Sequence, residues 1–310
     1  MLADPTRPPT GCRVRSLTTA DAHAVYEIVA AAEEVELGER SIDEEDIVGD
    51  WQRPSFDVTT QAVGVTRDGG GHAELVAYAE VFGGWRADAH VLPDHQGRGI
   101  GTWLAGWIQD EARRQGSSIV GMPVPAGSVS DRLLEGLGFF VRWTSWVLAF
   151  PEGVSIERQP LPTGFTFHDL DPADERLGGQ QAYRLIDDAF NEWPDRTPST
   201  YGDWAAGSLL RPGFEPWQLR LVTDPHGEVV GACLLILSGG IGYVDQLAVR
   251  RDHRGLGLAR ALLADAFETA RAHGATRSEL STDSRTGALG LYERVGMRVV
   301  QTWVHRAMAV

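Results

Sequence analysis

Cysteine is nearly absent from the 310 residues: only Cys12 and Cys233 occur, one in each half. Two thiols so placed build neither a disulfide framework nor a metal cage, so both read as reduced, buried groups of a cytoplasmic protein. No apolar run approaches the roughly 20 residues of a membrane-spanning helix, which excludes a spanning protein. The opening stretch, MLADPTRPPTG, lacks a basic patch followed by an apolar one, so no secretory leader is expected. Positive charge is scarce as well, 28 Lys and Arg against 43 Asp and Glu, for a formal charge of −15. Such a surface repels phosphate backbones and argues against nucleic acid as a partner. It is compatible with a cationic substrate.

What the chain does have is a repeat. DHQGRGIGTWLA, residues 94–105, returns as DHRGLGLARALL, residues 252–263. With Gln96 laid on Arg254, a spacing of 158, nine of the 26 pairs between 91–116 and 249–274 are identical. Chance supplies about two at ordinary residue frequencies. The same spacing carries on to LLEGLGF (133–139) over LYERVGM (291–297). Upstream, GCRVRSLTTAD (11–21) resembles GFTFHDLDPAD (164–174), and Asp50-Trp51 recurs as Asp203-Trp204. Units of this size indicate a duplicated domain rather than a solenoid, whose repeats are several times shorter. The Pro- and Gly-bearing stretch PEGVSIERQPLPTG separates the copies. The expected division is therefore a domain over 1–150, a linker over 151–163 and a domain over 164–310.

Each copy reads as alternating β and α. In the second, TFHDL is a strand, 173–190 a helix, and LRLVTD and HGEVVGACLLIL the arms of a hairpin around Pro225-His226-Gly227. YVDQLAV is a buried strand. A helix follows with Leu258, Leu262, Ala266 and Ala270 on one face, stopped by Gly274. SEL, then the short helix of TGALGLYERVG, then VVQTWVHRAMAV complete the copy as the closing strand of its sheet. The predicted fold class is α/β, two tandem domains, each a mixed sheet flanked by helices.

A strand that ends in a glycine turn and opens a helix aims free backbone N–H groups, and the positive helix end, at one point suited to phosphate. Walker A is excluded because neither turn has its lysine. The dinucleotide fingerprint is excluded because Thr102 or Arg260 stands where its third glycine belongs. A turn that merely packs tightly is the competing reading.

Gln96-x-x-Gly99-x-Gly101 and Arg254-x-x-Gly257-x-Ala259 resemble the Q/R-x-x-G-x-G/A signature of the GNAT acetyltransferase superfamily, and LYERVGM resembles its second signature. The resemblance covers almost all of the second copy and, more weakly, the first. It implies mostly antiparallel sheets, acetyl-coenzyme A as co-substrate, and direct acetyl transfer to an amine without a covalent enzyme intermediate. It implies a coenzyme site at Leu247, Ala248 and Val249 and at Arg254, Gly255, Leu256, Gly257, Leu258, Ala259 and Arg260. A second such turn comprises Gln96, Gly97, Arg98, Gly99, Ile100 and Gly101.

Acetyl transfer needs an amine stripped of its proton, a donor to the carbonyl oxygen and a proton for the thiolate. The resemblance puts Tyr292 where family members protonate the thiolate, with packing on a short helix as the alternative. The first copy has Leu134 there, so its catalysis is expected to be degenerate. Asp245 is the candidate base, or else a hydrogen-bond partner of nearby backbone; Ala87 is its counterpart. The resemblance places the loop bearing Glu192 and Asp195, with Trp193 and Tyr201 as an apolar wall, at the acceptor pocket expected for a small primary amine; a capped second helix with an aromatic face in the core is the alternative. A cysteinyl-sugar amine, or a coenzyme-sensing module without catalysis, are the alternatives. His95 and His253 have no Glu or His at metal-ligand spacing, so they read as props of the turn and no metal is expected. Arg285 departs from the family's asparagine about seven residues before the tyrosine.

Overall fold

The computed structural model describes residues 7–69, 72–151, 153–154, 157–192, 196 and 198–310. The chain forms two compact units, one of residues 1–144 with 302–310, the other of residues 145–301.

The N-terminal unit begins with strand β1 (Cys12–Ser16), helices α1 (Ala22–Leu37), α2 (Glu44–Trp51) and α3 (Val58–Gln61), and strands β2 (Ala62–Gly69), β3 (His72–Phe82) and β4 (Arg86–Val91). Helix α4 (Ile100–Arg114), strand β5 (Ile119–Pro125), helix α5 (Val129–Gly136) and the start of β6 (Phe140–Ala149) follow. The C-terminal unit contains β7 (Thr166–Asp169), α6 (Gly179–Phe190), α7 (Tyr201–Gly207), β8 (Leu219–Thr223), β9 (Val229–Ser238) and β10 (Ile241–Val249). It continues through α8 (Leu258–Ala272), β11 (Arg277–Asp283), α9 (Leu289–Arg294) and the start of β12 (Arg298–Ala309).

Neighbouring strands run β1-β2-β3-β4-β5-β12 in the first unit and β7-β8-β9-β10-β11-β6 in the second. All these pairs are antiparallel except β4 with β5 and β10 with β11. Mixed, mostly antiparallel sheets flanked by helices are thus the architecture of both units. The boundaries differ from the expected division at two strands. Trp303–Ala309 pairs with Ile119–Pro125 of the first unit, and Ser145–Ala149 pairs with Glu279–Asp283 of the second. Each segment therefore completes the sheet of the other copy, because inter-strand hydrogen bonds, not chain order, decide membership.

Each sheet separates two cores. In the C-terminal unit, α8 covers one face with Leu258, Leu262, Ala266, Phe267 and Ala270, and Phe150 meets Phe267 edge-on at 5.7 Å. Fully burying a side chain such as Phe267 stabilises by about 1.5–3 kcal/mol. The other face packs α6 and α7 through Leu185, Ile186 and Trp204. Helix α6 starts at Gly179 rather than 173, and turns occupy the residues before it.

Candidate functional site

Both glycine turns have one backbone conformation. A 3-10 turn (Pro93–His95, or Arg251–His253) leads to Gly97 and Gly99 at φ 71° and 83°, or Gly255 and Gly257 at φ 81°. Gly99 and Gly257 are the N-cap residues of α4 and α8, so no capping side chain stands before the free N–H groups of the first turn. A Cβ built on Gly97, Gly255 or Gly257 meets nothing within 4 Å. Glycines kept for packing behave differently: a Cβ on Gly231 would lie 2.7 Å from Leu262, and one on Gly242 2.6 Å from Ala270. Gly97, Gly255 and Gly257 serve a left-handed backbone and leave open space at the helix end, whereas Gly101 is a packing glycine whose Cβ would lie 2.8 Å from Leu133. A bare helix N-terminus of this kind suits an anionic group such as a phosphate.

Beside each turn the parallel pair parts. Strands β10 and β11 pair only from Ile241/Arg277 to Val244/Leu280, and β4 and β5 only at Arg86/Gly121. The Arg250 N–H donates to the Val230 carbonyl at 2.8 Å, and the ladder places Leu247 opposite Cys233 and Ala248 opposite Ala232. Antiparallel residues alternate between bonded and non-bonded pairs. Ala248 therefore bonds to β9, while Leu247 and Val249 turn their N–H and C=O groups into the opening. The Val249 carbonyl is taken by Nε of Arg254 at 3.2 Å. In the first unit Leu92 N–H bonds Val76, so Ala89 and Val91 face the opening, and Nε2 of Gln96 donates to Val91 at 3.4 Å. The Gln/Arg position thus ties the turn to the end of its strand.

Asp245 is the extra residue of a β-bulge, between pairs Val244/Leu235 and Gln246/Leu234. The bulge carries its side chain to an exposed position on an otherwise half-buried strand. Tyr292, half-buried on α9, packs on the same core as Leu247 and Ala259. Burial, with a smaller push from nearby Cys233, holds its phenol up to about 12, so the proton stays on oxygen. No hydrogen bond engages that hydroxyl among the described residues. Leu134, its counterpart, is buried and lines a cleft that runs from Gln96, Gly97 and Gly101 along α4.

Several residues of the expected coenzyme site have buried side chains. Ala248, Leu258 and Ile100 are buried in the cores, whereas Arg98, Leu256 and Arg260 are exposed. Of the expected acceptor pocket, Trp193 and Asp195 lie outside the described residues. Glu192 is clasped by Arg254, with Nη1–Oε2 at 2.7 Å and Nη2–Oε1 at 3.0 Å. This contact, chiefly its hydrogen bonds, holds the carboxyl below the usual range. Glu192 thus stands over the glycine turn. Tyr201 packs with Tyr183 and Trp204 at ring separations of 5.6 and 6.0 Å, between α6 and α7.

Trp204 is a core residue whose Nε1 donates to Gln246 Oε1 at 2.8 Å, pinning α7 beside the bulge. The recurring Asp-Trp pair was the only sequence signal of this anchor; in the first unit Trp51 Nε1 donates to Glu80 Oε2 at 2.7 Å. His253 is held by Asp252 at 2.7 Å and meets Phe165 edge-on at 5.9 Å, as a prop would. Arg285 donates to Asp283 from Nε at 3.1 Å.

The Acetyltransferase (GNAT) family model matches residues 180–297. Mycothiol acetyltransferase of Thermobispora bispora is 26% identical over 223 residues, spanning 66% of this chain and 70% of that protein. The crystal structure of a GCN5-related N-acetyltransferase from Sphaerobacter thermophilus superimposes with TM-score 0.73 at 29% identity, over 98% of this chain and 97% of that one. A tandem GNAT protein from the clavulanic acid biosynthesis pathway shares the fold, with TM-score 0.70 at 15% identity over 96% and 98% of the two chains.

Proposed function

From the premise that this chain belongs to the GNAT acetyltransferases, its domain of that family lying over residues 180–297, we propose that it moves an acetyl group from acetyl-coenzyme A directly to a primary amine of a small molecule. The transfer that uses Tyr292 and Asp245 is assigned to the C-terminal unit. The observation that supports this reading is that Leu247 at the parted strands, Ala259 at the glycine turn and Tyr292 on α9 are all partly buried against the same core.

The turn over 254–259 would hold the pyrophosphate through N–H groups left bare by Gly255 and Gly257. When bound, the thioester supplies an activated acetyl carbonyl. The Leu247 N–H, facing the opening, donates to that carbonyl's oxygen as negative charge develops there. An amine attacks only when neutral, yet one with a reference value near 10.4 is mostly charged at pH 7. Asp245 on its bulge takes that proton. Tyr292, a neutral phenol, donates to the departing sulfur.

A second reading, acetylation of a cysteinyl-sugar amine, is favoured by the likeness to Mycothiol acetyltransferase. The deciding assay follows free-thiol release from acetyl-coenzyme A over polyamines, aminosugars, cysteinyl sugars, amino acids and peptides. The chain contains no lysine, so its own side chains offer no amine background. Release should require a small primary amine. Release confined to peptide lysines, or with no amine at all, overturns the reading and favours a coenzyme-sensing module.

A further inference from the structure

The N-terminal unit is expected to be catalytically degenerate, because Leu134 stands where the C-terminal unit has Tyr292. Its cleft carries ionisable groups of its own. The cleft that begins at the glycine turn shares Glu36, Ala89, His90, Met122 and Ser130 with a second, smaller cleft. The second adds Glu33, Asp88 and Trp303. The two make one slot, with a phosphate cradle at one end, an acidic mouth at the other and His90 where they join. Strand pairing alone opens this slot, since β4 leaves β5 after Arg86 and turns the Ala89 N–H into it.

We infer that this slot is a second acyl-transfer site, in which a small apolar-stemmed amine without an acid group is held by His90 and gives its proton to Asp88. The inference rests on the reading of the glycine turns as coenzyme A cradles.

The His90 ring lies stacked on Tyr78, centroids 6.0 Å apart and planes at 11°, and no hydrogen bond engages it among the described residues. Burial holds its pKa down to about 4, so at neutral pH the imidazole keeps one nitrogen as an acceptor, and that nitrogen suits an ammonium N–H. Asp88 faces Glu80 across the ladder, and Arg86 Nε stands 3.7 Å from its carboxylate. Burial raises its carboxyl above the ordinary range while Arg86 and Arg53 oppose the rise. Asp50 lies in the same group, and Glu33 and Glu36 project from α1. A carboxylate raised in this way is a better proton acceptor near neutral pH than a solvated one. The same acids repel a carboxylate or phosphate on the acceptor, and the walls at Trp303 and Pro125 suit an apolar stem.

The step balances. Asp88 takes one proton from the ammonium and frees the lone pair, which forms the C–N bond at the thioester carbonyl carbon. The C–S bond breaks with its electrons going to sulfur. The second proton leaves nitrogen and passes through His90 to that sulfur, a task that needs no tyrosine at position 134. The C-terminal unit has Gln246 and Ala248 at the positions of Asp88 and His90, so the two units carry their proton acceptors on different residues.

The test compares wild type, Gly257→Glu, Gly97→Glu, and Asp88→Asn added to Gly257→Glu, in thiol release with phenethylamine and hexylamine. Transfer to these amines should survive in Gly257→Glu, carried by the N-terminal slot, and should fall without vanishing in Gly97→Glu, whose C-terminal turn is intact. Asp88→Asn should then lower the residual rate by roughly 10²-fold or more and flatten the acidic limb of its pH profile. Should Gly257→Glu fail to fold, the Asp245→Asn/Tyr292→Phe protein replaces it. Loss of all transfer in a folded Gly257→Glu protein that still binds coenzyme A by calorimetry overturns this inference and leaves the C-terminal site standing. Transfer abolished in Gly97→Glu and unchanged in Gly257→Glu would instead keep this inference and overturn the C-terminal site for these amines. An Asp88→Asn protein with an unchanged rate and pH profile returns Asp88 to packing.

Discussion

The two units share a backbone and differ in what they hang on it. Both end a strand in a turn with two left-handed glycines, both part the parallel pair beside it, and both tie the turn back through a Gln or Arg side chain. Yet the C-terminal unit has a bulge at Asp245 where β4 runs regularly through Ala87. It has a phenol where the N-terminal unit has Leu134. Its Arg254 is clasped by Glu192, and its anchoring Trp204 bonds a neutral Gln246, whereas Trp51 bonds the acid Glu80. Main-chain features, set by glycine and by ladder parity, are common to both units. Side-chain chemistry is not, so the glycine turn and the ionisable side chains beside it vary independently in this fold.

The sharpest way to break that comparison is at the cradle. Gly257→Glu forces a side chain into a left-handed position and puts a carboxylate where the pyrophosphate is expected. Calorimetry should show coenzyme binding at the C-terminal turn abolished, and undiminished affinity in a folded variant would make that assignment wrong. Next in size is Tyr292→Phe, which should lower kcat by roughly 10²–10⁴-fold in the C-terminal unit, the span of a general acid. Coenzyme affinity should barely move because the ring remains. Wild-type turnover would make Tyr292 the equal of Leu134, a packing residue. Asp245→Asn should lower kcat less, by about 10²-fold, and flatten the acidic limb of the pH profile; an unaltered profile would remove Asp245 as the base.

A stability measurement sharpens the comparison from the other side. Burial, reinforced by Asp88 and Asp50 and opposed by Trp51 and Arg53, pushes the Glu80 carboxyl up to about 8. The folded unit holds that proton more tightly than the unfolded chain does. The associated stability is fully present below about 4.5 and is lost as pH rises through about 8. His90 acts in the opposite sense: its contribution is present above 6.5 and is lost as pH falls through about 4. Between pH 6.5 and 8 the Glu80 effect stands without that opposition, so Tm should decline with pH and Glu80→Gln should flatten the decline. An equal slope in the variant would show that Glu80 titrates normally. The smallest effect belongs to Glu192→Gln. Freed of its exposed partner, Arg254 should bind coenzyme a few-fold more tightly with the amine KM unmoved; a raised amine KM would place Glu192 in the acceptor pocket instead.

Glycine spacing, the hydrophobic face of α8 and the contrast of Tyr292 with Leu134 are local facts, and each was legible in the linear chain. A left-handed turn and an amphipathic helix depend on residues a few positions apart, so pattern reading reaches them. The duplication, the α/β class and the two candidate cradles therefore came from the sequence alone. Tertiary structure alone decided which strand closes which sheet, because Trp303–Ala309 and Ser145–Ala149 choose their partners by hydrogen bonding between segments remote in sequence. It also decided that Asp245 is the bulged residue, that Glu192 meets Arg254, and that Asp50, Glu80, Asp88 and His90 share one face. Period-two alternation says that a strand has two faces. It does not say which face meets a charge, since that follows from the register of the neighbouring strand and the helix laid across it.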